Sequence, residues 1–406
     1  MEKEGAGTPT QGLLHLIRQK SIRIADINNF FNLVKEAFLE YIDECGGYDS
    51  KFTNILDFKT VTFSLALPRL LSSLVYHLMR YYHLPIQLDN RFYMGWIGDA
   101  LNTIVGMHEI RGKLWIRNGN TVRSLVQIYR SPKFCSHTFD LDFHSLQASF
   151  AQMSMSGEAQ LMLVLLGTRC RIMEVLSLRD IESDSLLVKP SNRMFPEKST
   201  HMIESFLTII IELIGFTKFS GRTISNISIL EKEIVVILAT KSRGHAEVLQ
   251  NIPGGDPNES ADGMCASPHT VSEIDRVLEQ VADFHPGTGF QTGVYTLNKN
   301  GWSKFDPVYL LHRSIQVSFK NFSTQPVNLA CAARQSNFLK LSKLKDFETA
   351  IENYFEFHKS KPGGLKFTPV PKLDMYYQGL YEILKSPHLH TIIMILLYKH
   401  LNEACL

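Results

Sequence analysis

The chain has 406 residues, of which 44% are hydrophobic and 20% are charged. That composition is typical of ordered globular proteins and excludes a mostly disordered chain, and the length predicts roughly two or three domains. Because 42 lysines and arginines stand against 40 aspartates and glutamates, charge gives no general reason to bind nucleic acid or an anionic membrane.

The cysteines and the apolar runs indicate the compartment. The six cysteines have no short spacing, so we expect reduced thiols in a cytoplasmic or nuclear protein, without a disulfide framework or a zinc site. The first residues, MEKE, lack the basic and apolar regions of a signal peptide. The most apolar runs, 206–216 and 392–398, are shorter than the ~20 residues needed to span a bilayer. The sequence therefore predicts a soluble protein without a membrane partner.

Residues 1–220 predict a helical scaffold domain. Apolar side chains recur there at helical spacing, and the helices follow one another without alternating with strands. Pro68 fits best in a first helical turn, where its missing amide costs little, so one helix should begin close to Leu67. Asn118 and Gly119 are typical of a left-handed helix stop. The predicted helices are 13–41, 61–82, 96–117, 121–129, 142–152, 158–170, 171–178 and 200–215.

Residues 221–313 predict a winged-helix domain that opens with three helices. The stretch 227–240 and the short stretch that begins at His245 each carry an apolar face. The third helix is the clearest, because Thr270 and Glu273 form a Thr-x-x-Glu capping box ahead of an apolar stripe. That stripe consists of Ile274, Val277, Leu278 and Val281.

Two β-like runs are expected to form the wing. Residues 293–297 and 308–311 are rich in β-branched and aromatic side chains. The turn formers Asn298, Asn300 and Gly301 lie between them. Residues 285–293 are interpreted as the turn that enters the wing. An ordinary helical segment followed by a loop is the alternative interpretation.

The charge of the third helix bears on nucleic-acid binding. Its acidic residues outnumber its single Arg276, and they are Glu273, Asp275, Glu279 and Asp283. Because the phosphate backbone repels such a helix, we expect a protein-docking or structural module and no nucleic-acid partner. A DNA-binding winged helix is the disfavoured alternative.

Residues 314–406 predict a C-terminal helical region. We expect helices at 328–357, 375–384 and 389–401, with a Pro/Gly/Lys loop at 359–371. Inside the winged-helix domain, residues 254–267 are rich in Gly, Pro, Asp, Asn and Ser, which predicts a flexible insertion. The fold class is therefore mainly α, a multi-helical scaffold with an embedded winged-helix (α+β) domain.

Three pairs of histidines and cysteines resemble partial metal sites. None has further ligands at usable spacing, so ordinary core or surface positions are favoured over metal binding. The pairs are His77 with His83, His388 with His390, and Cys265 with His269. No metal ligand and no cofactor-binding residue is expected in this chain.

No motif predicts a catalytic residue. The glycines of residues 285–293 have the wrong spacing for a dinucleotide fingerprint, and they follow a helix instead of a strand. No serine nucleophile elbow and no protease-like cysteine context occurs. The carboxylates Asp57, Asp99 and Asp140 are better explained as helix caps than as acid–base groups.

Several short blocks stand out along the chain, and they are 61–71 (VTFSLALPRLL), 114–119 (LWIRNG), 126–129 (VQIY), 230–234 (LEKEI), 281–284 (VADF), 293–297 (GVYTL) and 305–307 (FDP). Together these blocks resemble the UBR-box E3 ubiquitin ligases, the N-recognin family of the N-degron pathway. Their order and spacing follow the family from about residue 61 to residue 312. The signature residues that the resemblance implies are structural, and they are Trp115, Arg117, Asn118, Gly119, Phe284, Gly293, Tyr295 and Leu297.

What the resemblance implies is a scaffold. Such ligases bind destabilising N-terminal residues through a zinc-containing UBR box and recruit a ubiquitin-conjugating enzyme through a zinc-containing RING. Neither cysteine-rich module is in this sequence, so modules outside this chain would hold the zinc, the conjugating enzyme and the substrates. The insertion at 254–267 and the diluted aromatic run at 308–312 depart from the family and point to a divergent branch. A non-catalytic subunit of a large assembly, built from a helical array and a winged helix, is the alternative.

Overall fold

The computed structural model describes residues 24–44, 62–79, 90–112, 114, 119–172, 196–221, 225–254, 269–288, 292–317, 348–359 and 372–403. Contacts within the chain separate two compact units. Among the described residues, the winged-helix unit comprises 127–137 and those between 225 and 359. The helical unit comprises those between 24 and 126, 138–221 and 372–403.

The described part of the chain is mainly helical, with one small antiparallel sheet. In chain order the elements are α1 Ile24–Glu44, α2 Ala66–His77, α3 Asn90–Arg111, α4 Gly119–Arg130, α5 Pro132–Cys135, α6 Phe139–Met155, α7 Ala159–Arg169, α8 Pro196–Gly215, α9 Thr217–Ser220, α10 Asn226–Thr240, α11 His245–Asn251, α12 Val271–Val281, β1 Ala282–His285, β2 Val294–Leu297, α13 Lys299–Ser303, α14 Pro307–Val317, α15 348–359, a 3-10 turn Met375–Tyr377, α16 Leu380–Lys385 and α17 Pro387–Glu403. The predicted fold class is confirmed.

Helix α6 is the centre of the helical unit. It contacts α2, α3, α7 and α16, and its side chains are buried on nearly every face. Its sequence permits this because apolar and small residues occur all round the helix, and its buried Asp140, Asp142 and His144 side chains have hydrogen-bond partners. The Arg69 guanidinium, for example, donates two hydrogen bonds to the Asp142 carboxylate, at 2.9 and 2.8 Å.

Residues 372–403 pack within the helical unit, although they follow the winged helix in the chain. Gly221 and Leu373 form an antiparallel bridge, and the Asp374 amide donates to the Ser220 carbonyl at 2.7 Å. Gly379 lies so close to α6 that a Cβ atom there would be 1.9 Å from the Ala151 carbonyl oxygen. The predicted domain boundaries at residues 220 and 313 stay a prediction. They did not anticipate that residues 372–403 pack with the helical unit.

The three predicted helices of the winged-helix unit are confirmed as α10, α11 and α12. The Thr270 side chain accepts from the Glu273 amide, and the Glu273 carboxylate accepts from the Thr270 amide, which completes the predicted capping box. That amide hydrogen bond holds the pKa of Glu273 below its usual range. The predicted stripe is buried throughout, with Ile274, Val277, Leu278 and Val281 at most 1% exposed.

The predicted wing is partly wrong. The sheet pairs β1 with β2, so 293–297 contributes a strand as predicted, but its partner is Ala282–His285 instead of residues 308–311. Residues 308–311 are helical, because Asp306 caps α14: its Oδ1 accepts from the amides of Val308 and Tyr309 at 3.0 and 3.2 Å. Pro307 then occupies the first helical position, where no amide donor is required.

Two turn predictions near the wing also need correction. The residues predicted as a turn between strands form α13, whose cap Asn298 accepts a hydrogen bond from the Gly301 amide at 2.8 Å. The segment 285–293 does not lead into the wing from α12, because β1 follows α12 directly. Its first residue ends β1, and the segment connects the two strands.

The helix bounds of the helical unit differ from prediction at one informative place. Helix α3 ends at Arg111, not at 117, and Gly119 begins α4 instead of terminating the preceding helix. The predicted segments 171–178, 254–267 and 359–371 lie wholly or largely outside the described residues. In the part that is described, no helix has both the length and the apolar character to cross a bilayer.

Candidate functional site

The wing brings together the predicted signature residues that follow α12. The strand register places Ala282 opposite Leu297 and Phe284 opposite Tyr295. Since directly opposed residues share one face of a sheet, these side chains form one surface. The rings of Phe284 and Tyr295 are 5.0 Å apart between centroids, within the range of favourable aromatic pairs.

Gly293 makes room for the Phe284 ring. A Cβ atom at Gly293 would lie 2.4 Å from Phe284 Cζ, so the ring packs directly on the glycine backbone. Phe284 is nevertheless 55% exposed. The outcome is an aromatic side chain that is held in place from below and open to solvent above.

Helices α11 and α12 extend this face with charged groups. His245 Nε2 lies 2.7 Å from Asp275 Oδ1, and the His245 ring is 6.4 Å from the Tyr295 ring. Asp275 and Glu279, four residues apart, project from the same side of α12. We call Phe284, Tyr295, His245, Asp275 and Glu279 the wing surface.

A buried ion pair fixes the core beneath the wing-bearing helices. The Arg313 guanidinium donates to the Glu233 carboxylate through Nη2 at 2.6 Å and through Nε at 2.9 Å. The Tyr309 hydroxyl donates to the same carboxylate at 2.8 Å. All three side chains are at most 4% exposed, so α14 is joined to α10 by hydrogen-bonded charges that are almost completely buried.

Arg243 connects that core to the sheet. Its backbone pairs with Tyr295 in both directions, at 3.2 and 2.8 Å, on the side of β2 away from β1. Its guanidinium donates to the Ile237 carbonyl at 3.1 Å. The wing surface is therefore supported by a residue that is itself fixed at both ends.

One triad of polar side chains in the helical unit resembles a catalytic arrangement. Ser72 Oγ lies 2.8 Å from His144 Nδ1, and His144 Nε2 lies 2.7 Å from the Tyr377 hydroxyl. Ser72 and His144 are fully buried, and Tyr377 is 2% exposed. Burial lowers the pKa of His144 to about 3, with His77 as a second cause, and raises the pKa of Tyr377 well above its usual value.

The protons of this triad run in the wrong direction for a nucleophile. Ser72 Oγ lies 2.7 Å from the Leu141 carbonyl, which can only accept, so the serine donates its proton there. His144 Nδ1 must then donate to Ser72, and Nε2 accepts from Tyr377. A serine whose histidine donates to it is not activated by that histidine. The triad stabilises the packing of α2, α6 and the 3-10 turn.

The described residues offer no metal centre, since no group of three or more histidine, cysteine, aspartate or glutamate side chains is placed to hold an ion. His77 Nδ1 is hydrogen-bonded to the Ser73 carbonyl at 2.6 Å, and His388 Nε2 lies 2.9 Å from the Gln160 amide nitrogen. The Cys170 thiol is buried, and burial raises its pKa to about 12, so it is a poor nucleophile.

The signature residues fall into two groups. Phe284, Gly293, Tyr295 and Leu297 meet on the wing. Gly119 is the first residue of α4, while Trp115, Arg117 and Asn118 lie outside the described residues. Sequence reasoning missed the Ser72–His144–Tyr377 triad, because its members are too far apart in sequence to form a motif. It also missed His245 and Asp275 as neighbours of the wing.

Comparison with known proteins bears out the resemblance. Residues 229–321 match the winged-helix domain of UBR1-like E3 ubiquitin-protein ligases. The chain carries a UBR-type winged-helix domain. It is 24% identical to the human (Homo sapiens) E3 ubiquitin-protein ligase UBR3 over 99% of its own length and 19% of the relative's. Zebrafish (Danio rerio) ubr3 is 24% identical over 77% of the chain and 15% of the relative.

Human UBR1 is a more partial relative. It is 24% identical over 53% of the chain and 11% of its own length. The chain thus spans about a fifth of the UBR3 relatives and a smaller share of UBR1. The similarity to UBR3 includes both the helical unit and the winged helix, whereas the domain match is confined to the latter.

Proposed function

We propose that this chain is the scaffold portion of a UBR-type E3 ubiquitin-protein ligase that acts in ubiquitin-dependent protein degradation, within the N-degron pathway. The observation that carries the proposal is the UBR1-like winged helix at 229–321, set within a chain that is similar to UBR3 over 99% of its length. The transfer of ubiquitin would take place on modules outside this chain. Those modules would hold zinc, the ubiquitin-conjugating enzyme and the protein substrates.

The structure of both units agrees with a supporting role. The polar side chains best placed for chemistry, Ser72 with His144 and Glu233 with Arg313, are buried and fully engaged in packing. The described residues do not fit a zinc site, so no step of the reaction is assigned to them. A well-packed helical unit can hold a binding module attached to it in a defined position, which favours transfer between bound partners. We place it in the cytoplasm, with the nucleus as a second compartment.

The proposal is tested with the longer gene product that contains this chain. That protein is incubated with ubiquitin, ATP, the activating enzyme and a panel of ubiquitin-conjugating enzymes, and conjugates are detected by mass spectrometry. We expect conjugates with at least one conjugating enzyme, and none with residues 1–406 alone as the matched control. No conjugates from the longer protein with any member of the panel would favour the alternative, a non-catalytic subunit of a large assembly.

A further inference from the structure

Within the described part of the chain, the outer edge of β1 has no partner strand, and the backbone amide and carbonyl of one residue face outward there. Tyr295 uses its amide and carbonyl to pair with Arg243, so Phe284 and Tyr295 oppose each other without exchanging hydrogen bonds. Alternation along an antiparallel strand then turns the amide and carbonyl of Phe284 away from β2, toward the free side. The described residues form a two-strand sheet in which β1 pairs with β2 alone.

The same residue places an exposed aromatic ring at that edge. Phe284 packs on Gly293 and Tyr295, yet 55% of it faces solvent. An aromatic pair held in this way is a ready platform for a guanidinium or ammonium group, which is attracted to the ring faces. Its fixed position lowers the entropy cost of binding.

The charges beside the platform have one dominant sign. Asp275 is 49% exposed, and Glu279, one turn along α12, is exposed as well. Asp283 is exposed on β1 but lies on the opposite face of the sheet from Phe284, and the exposed cation among the neighbours on α12 is Arg276. The complementary partner is therefore positively charged, which excludes a nucleic-acid backbone and an acidic peptide.

We propose that the wing surface docks an extended, positively charged segment of a partner protein. The segment adds to the edge of β1 through the amide and carbonyl of Phe284, as in strand addition to an open sheet edge. An arginine or lysine side chain of the segment lies over the Phe284–Tyr295 pair, and a second one faces Asp275 and Glu279. Pro286, which lacks an amide donor, ends the open edge and limits the contact to a short stretch.

This inference deepens the proposed function, on which it rests, by stating the chemistry of one protein partner of the scaffold. It is tested by peptide binding to residues 1–406, whereas the ligase proposal is tested by ubiquitin transfer. Failure of the peptide test with retained transfer removes only the docking inference. Failure of transfer with retained peptide binding leaves a docking module and removes the ligase.

The probe is a fluorescent seven-residue peptide that alternates arginine and valine and has blocked ends. Its binding to the full chain is followed by fluorescence anisotropy at low and moderate salt. We expect saturable binding that weakens with salt, no binding of the matched glutamate–valine peptide, and roughly fivefold weaker binding when the central peptide amide is N-methylated. In a separate titration without peptide, labelled duplex DNA is added to the chain and is expected not to bind.

Variants of the chain locate the binding. Phe284→Ala should weaken the arginine–valine peptide roughly fivefold, and Glu279→Gln about twofold. Phe355→Ala and Glu352→Gln are the matched controls, because both residues are exposed on α15, and they should leave binding unchanged.

A glycine pair tests the position of the ring without removing it. Gly293→Ala should weaken binding about as much as Phe284→Ala, since the new methyl group displaces the Phe284 ring. Gly244→Ala should not, because its Cβ would meet the Gly293 carbonyl at an ordinary 3.6 Å. Circular dichroism confirms that each variant is folded.

Three results would overturn the inference. They are equal binding of the glutamate–valine peptide, unchanged arginine–valine binding in folded Phe284→Ala, and binding of labelled duplex DNA to the chain that is lost in Phe284→Ala. The last outcome would assign the wing to nucleic acid instead of protein.

Discussion

Phe143 and Phe284 show how differently the two units use the same side chain. Phe143 lies on α6 with no exposed surface, whereas Phe284 lies on the wing with more than half of its surface open. The helical unit likewise buries its histidine–tyrosine pair, while the wing leaves His245 at 38% and Asp275 at 49% exposed. The difference teaches which groups hold the fold and which are free to meet another molecule.

The largest loss of unfolding free energy is expected when the buried ion pair in the core of the winged-helix unit is broken. Arg313→Ala leaves the Glu233 carboxylate buried without its cation, and such a loss costs about 3–5 kcal/mol of unfolding free energy. Denaturant unfolding followed by circular dichroism measures it. Lys385→Ala is the control, because its ion pair with Glu382 is exposed at 69% and 45% and should contribute under about 1 kcal/mol.

A double variant separates the ion pair from the space that it fills. Replacing Arg313 and Glu233 together by methionine removes both charges, and buried pairs replaced in this way often lose little or no stability. We expect most of the loss in Arg313→Ala to be recovered. If Arg313→Ala alone is as stable as the parent, the core beneath the wing does not depend on this pair.

An intermediate effect is expected from acid in the helical unit. His144 has an ordinary pKa of 6.5 when unfolded and about 3 when folded, so the unfolded chain takes up the proton first as the pH falls. The stability from this group is complete above pH 6.5 and is lost between pH 6.5 and about 3, at about 1.4 kcal/mol per pH unit.

The variant His144→Gln isolates that contribution. It should be less stable than the parent at neutral pH, because Ser72 and Tyr377 lose their partner, but its stability should fall less steeply below pH 6.5. Urea unfolding at pH 7, 6, 5 and 4 compares the two slopes. Parallel curves for the two proteins would show that another group carries the acid sensitivity.

The smallest change in unfolding free energy is expected from removing the Phe284 ring, and comparison with Phe143 tests the difference between the two units directly. Phe284→Ala should change the unfolding free energy by under about 1 kcal/mol, because the ring is mostly exposed, whereas Phe143→Ala should cost about 3–5 kcal/mol. Thermal denaturation of both variants provides the comparison. A loss above 2 kcal/mol in Phe284→Ala would mean that the ring supports the fold.

Local signals made the three winged-helix helices predictable from sequence. The capping box at Thr270 and the stripe that ends at Val281 depend on residues within about three turns of one another. The family blocks located Phe284, Gly293 and Tyr295 as well, although their contact could not be derived without the strand register.

The second wing strand was mispredicted because two local signals competed. β-branched and aromatic residues at 308–311 favoured a strand, whereas Asp306 and Pro307 formed a cap and first turn, and the cap prevailed. The strand Ala282–His285 was missed because no turn residue separates it from α12. The buried triad and the Glu233–Arg313 pair join residues that are distant in sequence, and a single sequence carries no signal for such contacts.

The bridge between Gly221 and Leu373 has a consequence for how such a chain can diverge. The chain leaves the helical unit near Gly221 and returns to it near Leu373, and these two positions are adjacent. The intervening stretch therefore resembles an inserted domain whose two ends lie side by side. For a flexible connection, the entropy cost of bringing its two ends together rises by only about 0.6 kcal/mol for each doubling of its length. Insertions in flexible connections between these positions should therefore be tolerated while the helical unit keeps its pairing at Gly221 and Leu373.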